Sequence, residues 1–475
     1  MNYIIQNENG CLDNNLHEIS QEQLKILYDD NICEERESRE ITRSSYEGEN
    51  FYTQGGNLSE EFEKEVLFRD SKTAGMRIYY PHGVVIQQAA RRNYYRGENQ
   101  IFKESVPSLL RALKKYPTPK EKELYRFVAD MRIAEFKFLL ERFEHVINWN
   151  ICDILYEPLA QHYGLETGWI DITSDFNVAL FFATCYWDNT EGKWKPLTKE
   201  QTEVDENHKY GVIFHMPSYQ MPERWDCALE QFSIFKYKRD ENGKDTFVRK
   251  DITECKGKTE NLIYPIGFQP FMRCHMQNAY GIYMREDNPL QSDLQFEKLK
   301  FRHNEQFSQK VFDLMKGGEL IYPHEGLRQA DFIINQIKNA YCFSEEAFQY
   351  ALYRNHWFSI KDADIAKNEL QSFTVNGHPI EITDRHPWKM SSGRRQKINR
   401  LYRDFSVQAY YGIIILDRLA NYSKMFEPWM LPEEADGEGI KDFYVSEEVK
   451  QGFSIQAKSW ISLLSTIRKG QQSDF

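Results

Sequence analysis

Long hydrophobic runs are missing from this sequence. No stretch approaches the ~18 consecutive apolar residues that a membrane-spanning helix needs, and blocks such as Gly412-Ile413-Ile414-Ile415-Leu416 have the length of a core element. The start, Met1-Asn2-Tyr3-Ile4-Ile5, lacks a basic stretch leading into an apolar one, so no secretory leader is expected. Cysteine is sparse and unpatterned. The eight thiols are scattered, at positions such as Cys33, Cys152, Cys185, Cys227 and Cys342, and none forms a CxxC pair. That excludes a dense disulfide framework and fits free thiols in a reducing, cytoplasmic compartment.

Basic charge is also in deficit. Acidic residues outnumber Lys and Arg by 72 to 60, a net charge of −12. Non-specific nucleic-acid binding draws on a field of Lys and Arg, so a nucleic-acid partner is not expected. The clusters Arg91-Arg92 and Arg394-Arg395-Gln396-Lys397 are short and read as solvated faces. There is no Gly-rich phosphate loop and no GxSxG elbow. Arg273-Cys274-His275-Met276 offers ligand types, but no second pair stands at ligand spacing, so no metal is expected.

What is present is apolar and aromatic substance, 41% and 14% of 475 residues, enough for real cores in two or three domains. Residues 1–80 read as a polar, acidic extension with one helix from Gln21 to Tyr28. Residues 81–335 mix strand and helix patterns. Residues 336–475 read as mostly helical. Val84-Val85-Ile86, Tyr210–Phe214, Leu262–Tyr264, Gly281–Met284 and Lys298–Phe301 have the β-branched and aromatic content of strands. Between Lys120 and Ile147, Leu124, Phe127, Val128, Met131, Phe136, Leu139, Leu140, Phe143 and Ile147 recur every three to four residues, predicting one long amphipathic helix after Pro117 and Pro119. Asn177 to Tyr186 predicts a second, almost wholly apolar helix, with Cys185 as a packed thiol inside it. Asp188 to His208 reads as a polar loop, and Tyr237 to Lys258 as a charged insertion or hairpin. A further helix is expected from Gln306 to Met315, closed by Gly317-Gly318. Others are expected from Arg394 to Ala420 and from Val445 to Ile467.

Two segments stand out. One is Tyr95-Arg96-Gly97-Glu98, followed by Ser105-Val106-Pro107-Ser108-Leu109-Leu110-Arg111. The other is Leu159-Ala160-Gln161-His162-Tyr163-Gly164-Leu165, continuing through Asp171-Ile172-Thr173-Ser174 to Val178-Ala179-Leu180-Phe181-Phe182-Ala183. Their order and spacing resemble the FRG domain family, named for an aromatic-Arg-Gly triplet. Met276-Gln277-Asn278-Ala279-Tyr280-Gly281-Ile282-Tyr283 is similar to that family's late Gln-containing segment. Glu319-Leu320-Ile321-Tyr322-Pro323 with Gly326-Leu327 resembles its closing stretch, which carries the likeness over about residues 85–335. One departure is clear: where the family commonly has an Arg before its Leu-Leu-Asp, this chain has Gly168 ahead of Trp169-Ile170-Asp171.

The family's layout is in turn distantly similar to that of the ADP-ribosyltransferases. The resemblance implies an α+β fold, a central mixed or antiparallel sheet with packed helices, and NAD or a related nucleotide as substrate. It implies a catalytic set of Arg96, Ser174, Gln277 and Glu98, and a nucleotide-contacting set of Tyr95, Arg96, Gly97, His162, Thr173 and Ser174. In that scheme Arg96 reaches phosphate or ribose with charge-assisted bonds, Gly97 lets the backbone approach the nicotinamide, and Thr173 and Ser174 hold the cleft. A carboxylate steadies the positive charge developing on the ribose. The third position falls on Gln277, which supplies no negative charge, so Glu98 or Asp171 would serve in its place.

Each of these residues also has a plainer reading. Arg96 could be a structural Arg paired with Glu98 or Asp171. Thr173-Ser174-Asp175 suits a helix N-cap. Gln161-His162-Tyr163 could end a helix at Gly164, with His162 a satisfied histidine. Two functions follow: an ADP-ribosyltransferase-like enzyme or NAD hydrolase, in the manner of a toxin or phage-defence effector, or a non-catalytic nucleotide- or protein-binding module with the aromatic C-terminal region as partner surface.

Overall fold

The computed structural model describes residues 4–5, 13–31, 66–69, 74–80, 83–88, 93–147, 154–217, 235–239, 245–249, 262–266, 269–284, 289–323, 326–354 and 362–404. The helix expected from Val445 to Ile467 and the end of the one expected from Arg394 to Ala420 lie outside these residues.

Strand-forming residues with two-residue alternation build a seven-stranded sheet. Its strands are β1 (Leu16–Glu18), β2 (Tyr94–Glu98), β3 (Trp169–Thr173), β4 (Tyr210–Met216), β5 (Leu262–Pro265), β6 (Ala279–Tyr283) and β7 (Glu297–Arg302). They lie in the order β1-β7-β4-β2-β3-β6-β5. The β1–β7 pairing is parallel and the rest are antiparallel. The fold is therefore α+β with a mixed sheet.

Alternation sends successive side chains to opposite layers. Tyr94, Ile170, Ile172, Val212, Phe214, Tyr280 and Ile282 face one layer, with Phe127, Val128 and Met131 of α2. Tyr95, Ile213, Leu299 and Phe301 face the other, against Phe176, Ala179 and Phe181 of α4. The helices that matter to the site are α1 (Ser108–Leu113), α2 (Pro119–Leu140), α3 (Tyr156–His162), α4 (Phe176–Thr184), α5 (Met272–Met276) and α6 (Glu305–Leu314). After them come α7 (Asp331–Lys338), α8 (Glu345–Arg354), α9 (Ala363–Gln371) and α10 (Ser392–Asp404).

Helix α2 opens with Pro119 in its first turn and a capping box in which Thr118 and Glu121 satisfy each other's backbone N–H. The expected apolar stripe is buried through Phe143, but the helix stops at Leu140. Ile147 ends a separate short turn with 59% of its surface exposed. The apolar helix α4 also ends early, at Thr184. Cys185–Asp188 turns into a strand that pairs with Lys193–Pro196, so the stretch expected to be a loop holds a hairpin.

The charged insertion is a hairpin too, Phe235–Arg239 against Asp245–Arg249. Gly317 and Gly318, both at positive φ, close α6 as expected. The helix expected at Gln21 to Tyr28 runs over residues 21–31 and packs Leu24 and Leu27 into the α4 layer. Phe343, Phe348, Ala366 and Leu370 of the C-terminal region share the core of α2. Among the described residues no helix is long and apolar enough to cross a membrane.

Candidate functional site

The two central strands part company. β2 pairs with β4 from Tyr94 to Glu98, and β3 pairs with β6 along its whole length, yet β2 and β3 meet only at Tyr95 opposite Thr173. Beyond that point the sheet opens, and the Asp171 carbonyl is turned toward β2 with no strand partner there. Arg96 fills the gap. Its Nη1 donates to the Asp171 carbonyl at 2.8 Å and its Nε to Glu98 Oε1 at 2.9 Å. Nη2 makes no hydrogen bond to the described residues, and 23% of the side chain stays exposed. Glu98 is fully engaged, since its other oxygen accepts from Ser105 Oγ at 2.7 Å. It holds Arg96 in place and is not an open carboxylate.

Tyr95 and Gly97 point to the opposite layer. The Tyr95 ring stacks on His215 at 5.2 Å and meets Phe176 edge-on at 5.1 Å, within the core. A Cβ on Gly97 would stand 1.7 Å from the Ala179 carbonyl oxygen, so this glycine lets α4 lie directly on β2. On the side where a Cβ would project, Gly97 is covered by α4.

Thr173 and Ser174 serve the turn into α4. Thr173 Oγ1 donates to the Gln277 carbonyl at 2.7 Å and accepts from Asp175 N at 2.9 Å. Asp175 is the N-cap, accepting from Asn177 N at 2.9 Å. Ser174 is buried, and Asn31 from the N-terminal helix spans it by donating to the Ser174 carbonyl at 3.0 Å and accepting from Phe176 N at 3.2 Å. Sequence reasoning had no signal for Asn31, which lies more than 140 positions away.

His162 closes α3, with Gly164 at φ +79° just past the helix end. Its ring is almost wholly buried. Nδ1 lies 3.0 Å from Gln277 Oε1, and Nε2 lies 3.3 Å from Asp171 Oδ1. Burial pushes the imidazole below its ordinary range, Asp171 pulls it back up, and the charge of Arg273 adds to the lowering. Gln277 is committed at both ends of its amide, because Nε2 donates to the Ile321 carbonyl at 3.0 Å. Arg273 lies 4.3 Å above the Tyr163 ring and 5.0 Å from that of Tyr322, and donates to the His162 carbonyl at 2.9 Å. The Tyr322 hydroxyl is pushed up to about 12 by burial.

One polar chain thus links the expected residues: Glu98, Arg96, Asp171, His162, Gln277 and Thr173, in that order. Asp171, expected as a substitute carboxylate or as a partner of Arg96, stands at its centre with 34% of its side chain exposed. Gly168 is covered by Tyr283, whose ring would lie 2.8 Å from an added Cβ. Cys185 is buried and its thiol is pushed up to about 12, so it is not a nucleophile at neutral pH. Among the described residues no group of three or more acidic, His or Cys side chains is placed to hold a metal.

An α+β domain with a split central sheet and an Arg-Gly strand at the split is the class this geometry defines. A family model described as the FRG domain matches residues 91–191, from just before β2 to the hairpin after α4. The chain is an FRG domain-containing protein. The matched span is shorter than the expected 85–335 and leaves out Gln277 and the Glu319–Pro323 stretch. No curated protein and no solved structure matches the chain.

Proposed function

We propose that the opening between β2 and β3 is an NAD-directed site and that the protein is an ADP-ribosyltransferase-like enzyme or NAD hydrolase. The observation that carries this reading is the single chain of contacts running Arg96–Asp171–His162–Gln277 across the separated strands. In it Arg96 Nη2 takes a phosphate oxygen of the dinucleotide with a charge-assisted bond. Asp171 supplies the negative charge that faces the ribose carbon as nicotinamide departs. Gln277 acts behind them, since both ends of its amide are occupied.

Consumption of NAD in the cytoplasm accords with a toxin or phage-defence role. That role predicts growth arrest with falling NAD on induced expression, relieved by Arg96→Ala. The direct test is to incubate the protein with NAD and follow nicotinamide. Release that disappears in Arg96→Ala supports the reading, and a wild-type rate no higher than that of Arg96→Ala sinks it.

A second reading has its own support: Glu98 and Gln277 are saturated, and Ser174 is buried behind Asn31. On this reading the domain binds a nucleotide without reacting, or docks a protein through residues 336–475. Calorimetry with NAD and ADP-ribose separates the nucleotide version, which requires saturable heats with no nicotinamide formed. A pull-down with the full chain tests the protein version.

A further inference from the structure

Gln277 decides where the hydrogens sit on its neighbours. Its Nε2 faces the Ile321 carbonyl at 3.0 Å, and a carbonyl only accepts, so the amide oxygen is the atom turned toward His162 Nδ1. Nδ1 therefore carries a hydrogen and donates it to Gln277 Oε1. The His162 side chain is only 3% exposed, and burial favours the uncharged ring. An uncharged ring with its hydrogen on Nδ1 presents a bare lone pair at Nε2. That lone pair faces Asp171 Oδ1 at 3.3 Å, and both atoms are buried without a hydrogen-bond partner among the described residues. Two acceptors set against each other in a dry place repel, and one proton between them turns the repulsion into a hydrogen bond.

We infer that His162 and Asp171 form a proton-accepting pair, with Asp171 as the member open to a ligand and His162, oriented by Gln277, as the positioning residue behind it. The groups facing the pair from neighbouring elements are Arg273 of α5, bonded to the His162 carbonyl, Arg96 of β2, bonded to the Asp171 carbonyl, and the buried Tyr322 hydroxyl. The bare Nε2 set 3.3 Å from Asp171 Oδ1 leaves the resting pair a place for one proton.

Resting on the NAD-directed reading, the pair takes the proton of the attacking nucleophile. As a hydroxyl oxygen, from water or an acceptor, bonds to the ribose carbon, the carbon–nitrogen bond to nicotinamide breaks. Nicotinamide leaves neutral with the bonding electrons, the hydroxyl proton passes to the Asp171–His162 pair, and the pair returns it to solvent.

The test is nitrogen-15 spectroscopy of histidine-labelled protein across mildly acidic to mildly basic pH, with the His162 signals identified by their loss in His162→Asn. The expected result is an Nδ1 that stays protonated throughout, while Nε2 shifts as the pair takes up one proton. In Asp171→Asn the side-chain amide donates to Nε2, so the Nε2 shift with pH disappears. A His162 ring with its hydrogen on Nε2 and a bare Nδ1, or a wild-type Nε2 that does not respond to pH, overturns the pair. This measurement needs no NAD. Absence of nicotinamide release therefore counts against the NAD-directed reading alone, and an unresponsive His162 counts against the pair even in an active protein. Where release is measurable, removing the base is expected to slow it on the order of 100-fold and to flatten its pH profile.

Discussion

A Cβ added to Gly97 would stand 1.7 Å from the carbonyl oxygen of Ala179, closer than any non-bonded contact allows. The Arg-Gly step thus does two things at once: Arg96 bridges the split sheet while Gly97 seats the apolar helix. Gly97→Ala is expected to push α4 off β2 and to destabilise the fold by about 3 kcal/mol or more, as overpacked core sites do. Thermal unfolding checks this, and a melting temperature equal to the wild type's would refute the seating role.

Gln277 holds two partners that have little else to bind. Gln277→Leu leaves the Ile321 carbonyl and the His162 N–H unanswered in the interior, at a cost of about 1–3 kcal/mol for each group. Gln277→Glu, which installs the carboxylate common in ADP-ribosyltransferases, sets negative charge against a carbonyl. It is expected to lower stability at neutral pH without speeding nicotinamide release. A faster enzyme would show that Gln277 stands at the reacting centre.

Glu135 ties the C-terminal region to α2. The residue is 0% exposed. It accepts from Ser344 N at 2.8 Å, Trp388 Nε1 at 2.9 Å and His386 Nδ1 at 2.8 Å. Glu135→Leu strands three donors and is expected to cost about 3 kcal/mol or more. Denaturant titration followed by Trp fluorescence reads it, and an unchanged midpoint would mean that residues 344–388 are not anchored there.

Buried His145, stacked beside Phe143 and edge-on to Phe271, is held by burial well below its ordinary value of 6.5. The unfolded chain therefore binds a proton below about 6.5 that the folded chain refuses, so this residue's contribution to stability falls as pH drops through that range. His303, lowered by burial in the same sense, adds to the slope. Unfolding midpoints at pH 7.5 and 5.5 are expected to differ more in the wild type than in His145→Phe. An equal difference would place the acid sensitivity elsewhere.

Much of this fold was legible because the run Tyr210 to Phe214 has the β-branched and aromatic content of a strand, and the α2 stripe repeats with the helix period. Element ends were less so. The apolar run of α4 continues into Cys185 and Tyr186, and nothing local marks the switch to a strand at Cys185. At the site, the motif residues and the pairing of Arg96 with Glu98 or Asp171 were visible, but other partners were not. The bonds of Glu98 to Ser105, Asn31 to Ser174 and Gln277 to Ile321 depend on tertiary approach, which no spacing encodes. The burial of Glu135 within a mostly apolar helix face is a further case, because its three donors lie more than 200 positions away.

The central claim is that Asp171, not Gln277, supplies the negative charge of an NAD-directed site. The most direct measurement is the single-turnover rate of nicotinamide release by Asp171→Asn beside wild type and Gln277→Leu, with folded protein confirmed for each. The account predicts a loss on the order of 100-fold or more in Asp171→Asn, and a smaller loss in Gln277→Leu that follows its lowered stability. Release by Asp171→Asn at the wild-type rate would contradict it.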